Sequence, residues 1–401
     1  MQRSDVGEDP GNGDQAPSIG IALSGGGSRA MAFHLGCLRA LDGLGHLKAA
    51  KVLSCVSGGC VLGAMYTIHE GDFPSFEKNV RAVLARGFIR PALKTAVTTS
   101  EGVKAILCFV VMCACLTSIL PARLLTWLFC VATGTPRTPG DRWMPRRFAS
   151  RTTLLRRTFD ELLFKGRTLG SLRADGPRLV ALAAELRTGS AFYFGAREAG
   201  CWRFGRIDTS KIPLAHAVAA SAAYPLFLPA LDEYLAFDKA DGSRRTERVT
   251  LTDGGIYDNM GLSPLWPDRD PKVSVVVEPV DTIIACRAGY GLRTLPPSLF
   301  IKSRLTSSFS AVSARAQNAA QTRLFDLKAA GRIRQFALPY LDQDDRRLAH
   351  PPADLVTRDQ VADYPTDFGA MPAKWIERLS KRGEQMTLAV IREHVPDLMM
   401  R

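Results

Sequence analysis

Three short stretches carry groups that could act together on a carbonyl carbon. In Lys51-Val52-Leu53-Ser54-Cys55-Val56-Ser57-Gly58-Gly59 an apolar run stops at a serine and gives way to glycine. A serine on a sharp strand-to-helix turn projects its hydroxyl outward, and small neighbours relieve the crowding there. Of the pattern G-x-S-x-G, Gly59 is present and Cys55 stands in place of the first glycine. Taken alone, Ser-Gly-Gly reads as a helix cap. The second stretch is Gly25-Gly26-Gly27, after Ile19-Gly20-Ile21-Ala22-Leu23-Ser24; the third is Asp253-Gly254-Gly255, after Arg248-Val249-Thr250-Leu251-Thr252. Combined, they make an acyl-transfer set. Ser57 would attack an ester, Asp253 would take its proton, and the N–H groups of Gly25, Gly26 and Gly27 would hold the oxyanion. Glycine is needed in that loop because a side chain would block close backbone approach, and Gly58, Gly59, Gly254 and Gly255 are the expected supporting residues.

Such a set works only if its parts share one edge of a sheet. Strand, glycine loop and helix at 19–41, then strand and helix from 52, give a β-α-β-α pattern and predict a parallel sheet covered by helices. In that sheet the carboxyl ends of the strands face one crevice. Residues 178–186 and 191–194 read as further strands joined by a turn, 214–223 as a helix of small residues, 273–279 as another buried strand, and 364–398 as mainly helical. His216 falls on the small-residue helix, where a structural role is expected.

Composition is that of a folded globular protein, 46% hydrophobic and 23% charged. Residues 1–17 form an expected flexible tail with no signal-peptide core. Nine cysteines without a C-x-x-C pair read as reduced, buried thiols on a cytosolic face; no metal site, calcium requirement or other cofactor is expected. The net charge of +13 points to an anionic partner.

Within 71–170 lies the most apolar part of the chain. Residues 105–120 carry no charge, Pro121-Ala122-Arg123 interrupts, and 124–132 resume the apolar run. Residues 103–133 are therefore read as a membrane-associating segment, either one tilted, kinked span or a shallow hairpin, with a helical hairpin buried in the core as the alternative. Arginines at 137–157 follow, and this basic flank beside uncharged sequence favours an anionic membrane surface over nucleic acid. The expected organisation is a catalytic domain of 18–70 and 171–401 interrupted by an insertion at 71–170, held on the cytoplasmic face of a membrane, or cytoplasmic if 103–133 pack internally.

The order of glycine loop, serine and aspartate, with Ala219-Ala220-Ser221-Ala222-Ala223-Tyr224-Pro225 ahead of the aspartate, resembles the patatin-like phospholipase family over most of residues 18–280. Gly25-Gly26-Gly27-Ser28-Arg29-Ala30 is similar to its G-G-G-x-R-G signature, Ser57 to its elbow serine and Asp253-Gly254-Gly255 to its D-G-G. The resemblance implies a Ser-Asp dyad without histidine, acting on fatty-acyl esters of membrane lipids. It also implies an α/β fold, a three-layer α/β/α sandwich whose central sheet is mostly parallel, here carrying an apolar helical insertion. Arg29 would steady the glycine loop or meet lipid phosphate; otherwise it is a surface charge at a helix start. Cys55 and Ala30 depart from the pattern, and they motivate the alternative of a catalytically inactive, membrane-associated lipid-binding protein of the same fold. His350 and His394 follow Asp253 without any catalytic signature. Gly25 to Ala30 also fits a dinucleotide fingerprint, but no acidic residue lies between Asp42 and Glu70 to hold a ribose.

Overall fold

The computed structural model describes residues 17–133, 146–239, 241–270, 274, 279–291 and 299–399. Residues 1–16 of the expected tail, 137–145 of the basic flank, and most of the strand expected at 273–279 lie outside the described residues.

The N-terminal pattern folds as its glycines and apolar runs dictate: β1 (Ile19–Leu23), α1 (Gly27–Gly43), α2 (His46–Ala49), β2 (Val52–Val56) and α3 (Ser57–Thr67). The next helices are α4 (Phe73–Arg86), α5 (Ile89–Thr98), α6 (Ser100–Thr133) and α7 (Arg151–Phe159). The chain then returns to strands with β3 (Arg178–Glu185), β4 (Ser190–Gly195), β5 (Ala199–Cys201) and β6 (Gly205–Ile207). After α8 (Leu214–Ser221) come β7 (Leu231–Asp238), β8 (Arg244–Asp253), α9 (Gly255–Asp258) and β9 (Thr282–Cys286). The remainder is α10 (Ile301–Ala329), β10 (Gln335–Ala337), α11 (Arg358–Val361) and α12 (Ala373–His394).

The expected sandwich around a mostly parallel sheet is not what forms. Strands β10, β9, β1, β2 and β3 are parallel, but from β3 through β4, β5, β6 and β7 to β8 every pairing is antiparallel. Strand β8 returns to pair with β3, which closes six antiparallel strands into a barrel. The reason lies in the edge of β3. Its first half, Arg178 to Leu182, pairs with β2, and β2 ends where the chain turns at Ser57. The backbone groups from Ala183 to Glu185 would then lack partners, an expensive state for buried backbone, and β8 fills the gap.

Helix α1 is buried on nearly every side, packed between the sheet and α12. Their backbones touch at glycines: a Cβ on Gly36 would meet the Ser380 carbonyl at 1.7 Å, and one on Gly383 the Phe33 carbonyl at 2.0 Å. Phe76 of α4 and Phe159 of α7 enter the same core as Leu23 and Leu53.

Helix α6 is continuous through Pro121 and about 51 Å long at 1.5 Å per residue. Leu107, Phe109, Leu125 and Phe129 are exposed. The shallow hairpin and the internally packed hairpin are both replaced by one helix standing almost wholly outside the core. Among the described residues, α6 alone is long and apolar enough to cross a membrane.

Candidate active site

Strand β2 reaches Val56 in extended conformation, and Ser57, the first residue of α3, then takes φ 51°. A non-glycine residue in this left-handed region carries strain on the order of 1–2 kcal/mol, so its surroundings must hold it. They do so from two sides. The Ser57 N–H donates to Ser221 Oγ at 3.0 Å. Across from it, α3 packs on the glycine loop so tightly that a Cβ on Gly58 would lie 2.0 Å from the Gly27 carbonyl. Gly59 backs onto the carbonyls of Leu23 and Ser24 in the same way.

Asp253 ends β8 opposite Ala183, one residue beyond Leu182, which pairs with Val56. Serine and aspartate thus meet, although β8 approaches from the opposite direction to the one a parallel sheet would give. The Asp253 N–H donates to the Ala223 carbonyl and the Gly254 N–H to the Ser221 carbonyl, so the end of α8 braces both elements. Gly254 lies against the Leu182 carbonyl. Burial pushes the Asp253 carboxyl up to about 6, while the Gly255 N–H, donating at 2.7 Å, and the Ser57 hydroxyl pull it the other way.

The glycine loop takes positive φ at Gly26 (144°) and Gly27 (59°). Its first amide, on Gly25, donates to the Asn259 carbonyl at 3.0 Å, and the Ser28 N–H to the Asp367 carbonyl at 2.7 Å. The amides of Gly26 and Gly27 have no acceptor among the described residues. They sit at the N-terminus of α1, close to that of α3, where helix dipoles favour negative charge.

Arg29 is no surface charge. It is buried, donates to the carbonyls of Ala288 and Tyr364 at 3.1 Å each, and lies over the ring of Tyr290. Cys55, too, is fitted in: a Cβ on Gly63 would come within 2.5 Å of its sulfur, so the helix leaves room for the thiol. Ala30 has ordinary helical geometry inside α1 and does not need to be glycine.

Ser57, Asp253, Gly25, Gly26, Gly27, Arg29 and Gly255 line one cavity of about 1470 Å³. Its walls are mainly apolar, with Leu93 of α5, Leu154 and Leu155 of α7, Phe227, and Phe309 of α10. His216, His350 and His394 do not line it. His216 is buried against Glu233, 2.9 Å away, and His394 is exposed. His34, Cys37 and Cys286, which no sequence motif groups, bring ligand-type atoms within 4.8 Å of one another, fully buried and off the cavity. Motif reading passes over Ser221 and Asn259, whose roles are backbone contacts across the fold; both stand within the motifs as written, Ala219 to Pro225 and the residues after Asp253. It also passes over His34, whose Nε2 reaches the Ser24 carbonyl at 3.0 Å.

The family model of the patatin-like phospholipases matches residues 21–266. Among solved structures, human GIVD cytosolic phospholipase A2 is similar in fold, with 15% identity and a TM-score of 0.52 over 95% of this chain and 59% of that one. The same human protein in complex with methyl gamma-linolenyl fluorophosphonate gives 15% identity and a TM-score of 0.47 over 96% and 59%. VipD from Legionella pneumophila gives 15% and 0.36 over 94% and 67%. The chain spans about three-fifths of the human protein's length in these structures. No curated protein matches it. With the family model covering more than half of its length, the chain belongs to the patatin-like phospholipase family.

Proposed function

We propose that the protein is a serine acyl hydrolase that cleaves fatty-acyl ester bonds of membrane lipids through a Ser57-Asp253 dyad. The observation that carries this reading is the strained Ser57, held at φ 51° beside a buried carboxylate inside a large apolar cavity. Asp253 accepts the Ser57 proton as Oγ adds to the acyl carbonyl, and the amides of Gly26 and Gly27 stabilise the oxyanion, with Gly25 fixing the loop through Asn259. Collapse of the tetrahedral intermediate expels the lipid alcohol, which takes the proton back from Asp253. Water, deprotonated by the same carboxylate, then releases the fatty acid and restores Ser57. Apolar walls hold the acyl chain and keep bulk water from the site.

Family membership and the fold support a lipid substrate, and α6 supports attachment to a membrane, whose cytoplasmic face we take as the side of the catalytic domain. We take α6 as the part of the 71–170 insertion that leaves the catalytic domain of 18–70 and 171–401. Purified protein offered a fluorescent short-chain ester in detergent tests the reading: hydrolysis by wild type and none by Ser57→Ala is expected. No hydrolysis by wild type between pH 6 and 9 would overturn it and leave an inactive lipid-binding protein.

A further inference from the structure

The cavity contains a cation that the dyad leaves unused. Arg287 directly follows β9, the strand beside β1, and so stands at the same sheet edge as the glycine loop. Its backbone is fixed on both sides: the N–H donates to the Pro339 carbonyl at 2.8 Å, and the carbonyl accepts from Leu341 at 2.9 Å. The guanidinium lies over the ring of Tyr340, 4.6 Å from its centroid, which fixes the plane of the fork. Arg287 is only 8% exposed and lines the cavity with Ser57.

What sets it apart is that no counter-ion faces it among the described residues. Its Nε makes no hydrogen bond, and among the described residues no carboxylate lies within 4.0 Å of the guanidinium. Buried Arg382, by contrast, faces Asp345 and the carbonyls of Leu341, Gln343 and Val356. A buried charge with no partner is costly, and a fold keeps one at a site where a ligand brings the missing anion. The planar fork of arginine matches the paired oxygens of a phosphate.

We infer that Arg287 binds the phosphate of a phospholipid substrate and so selects phospholipids over neutral acyl esters. This rests on the reading of the cavity as a lipid acyl hydrolase site. Arg287 is a specificity-determining residue distinct from the Ser57-Asp253 dyad, and it leaves the chemistry at the carbonyl unchanged.

The test compares the full chain with Arg287→Gln and Arg287→Lys on dioleoylphosphatidylglycerol and dioleoylglycerol in matched mixed micelles. Arg287→Gln is expected to lower kcat/KM on the phospholipid by about tenfold or more and to leave the neutral ester within about twofold. Arg287→Lys should fall between, because it keeps the charge without the fork. Equal losses on both substrates, or none on the phospholipid, overturn the inference. A second arm titrates micelles of ether-linked, non-hydrolysable phosphatidylglycerol and follows tryptophan fluorescence; Arg287→Gln should weaken binding by about tenfold. Because this arm needs no turnover, weakened binding in a protein that hydrolyses nothing would sustain the inference while the hydrolase reading fails. Inorganic phosphate serves as the competing source. If phosphate alone raises Tm in wild type and not in Arg287→Gln, while ether-lipid binding is equal in both, the site takes free phosphate and the lipid inference falls. Without ligand, Arg287→Gln should melt at or above wild type, since it removes an unpaired buried charge; a drop of several degrees would assign Arg287 a structural role instead.

Discussion

The Ser221 hydroxyl accepts the backbone N–H of Ser57 at 3.0 Å, so a residue 164 positions away holds the strained elbow from outside. The same residue's carbonyl accepts from Gly254, next to Asp253. Ser221→Ala removes only the first of these bonds. It should lower kcat by about three- to tenfold, the range of one neutral hydrogen bond, with KM unchanged. Steady-state kinetics on a soluble ester checks this, and an altered KM at unchanged kcat would contradict it.

On the proposed chemistry Asp253 must be ionised to accept a proton, and its carboxyl is raised to about 6 by burial. The kcat/KM profile should therefore climb with pH, reach half its plateau near 6 and stay flat above it. A rate independent of pH from 5 to 8 would remove Asp253 from the role of base.

The same shift makes Asp253 a burden on stability. An unfolded aspartate gives up its proton near pH 4, whereas the folded one keeps it to about 6. Folding stability is therefore lost as pH rises through that window, and the deficit is full above it. Asp253→Asn should cut kcat by about a hundredfold or more. It should also stabilise the fold at pH 8 by up to about 3 kcal/mol, with little gain near pH 4. Urea melts at the two pH values read this directly.

Cys55 fits against Gly63 at the foot of the elbow. Restoring the family's glycine by Cys55→Gly should open a small void in a buried strand and cost roughly 1–2 kcal/mol, without raising activity. An increase in kcat would mean that the thiol compromises the elbow.

Deleting 103–133 removes the exposed apolar stretch of α6. The deleted form should move from the membrane to the soluble fraction of cell lysates. Full retention in the membrane fraction would place the attachment elsewhere.

The residues that meet in the candidate site, Ser57, Gly25 to Gly27 and Asp253, were each marked in the sequence by small neighbours and strand ends. The direction of β8 was not: its β-branched residues announce a strand, but whether it runs with or against its neighbours is decided by the free edge of β3. Strands β5 and β6 are three residues each, too short to leave a periodic signal. The Val-rich run at 273–279 gives a stronger strand pattern than β9, whose Thr282 to Cys286 carries the parallel pairing with β1. Arg287 reads as an ordinary charge until the fold buries it with no carboxylate beside it among the described residues.

The shared edge of β3 ties two events that would otherwise be separate. Ser57 is presented by β2 and α3 with Ser221 behind it, whereas Asp253 stands opposite Ala183 only through the β3–β8 pairing that shuts the ring. On the proposed chemistry, turnover is therefore a reporter of ring closure: a chain with its elbow built and its ring still open is silent.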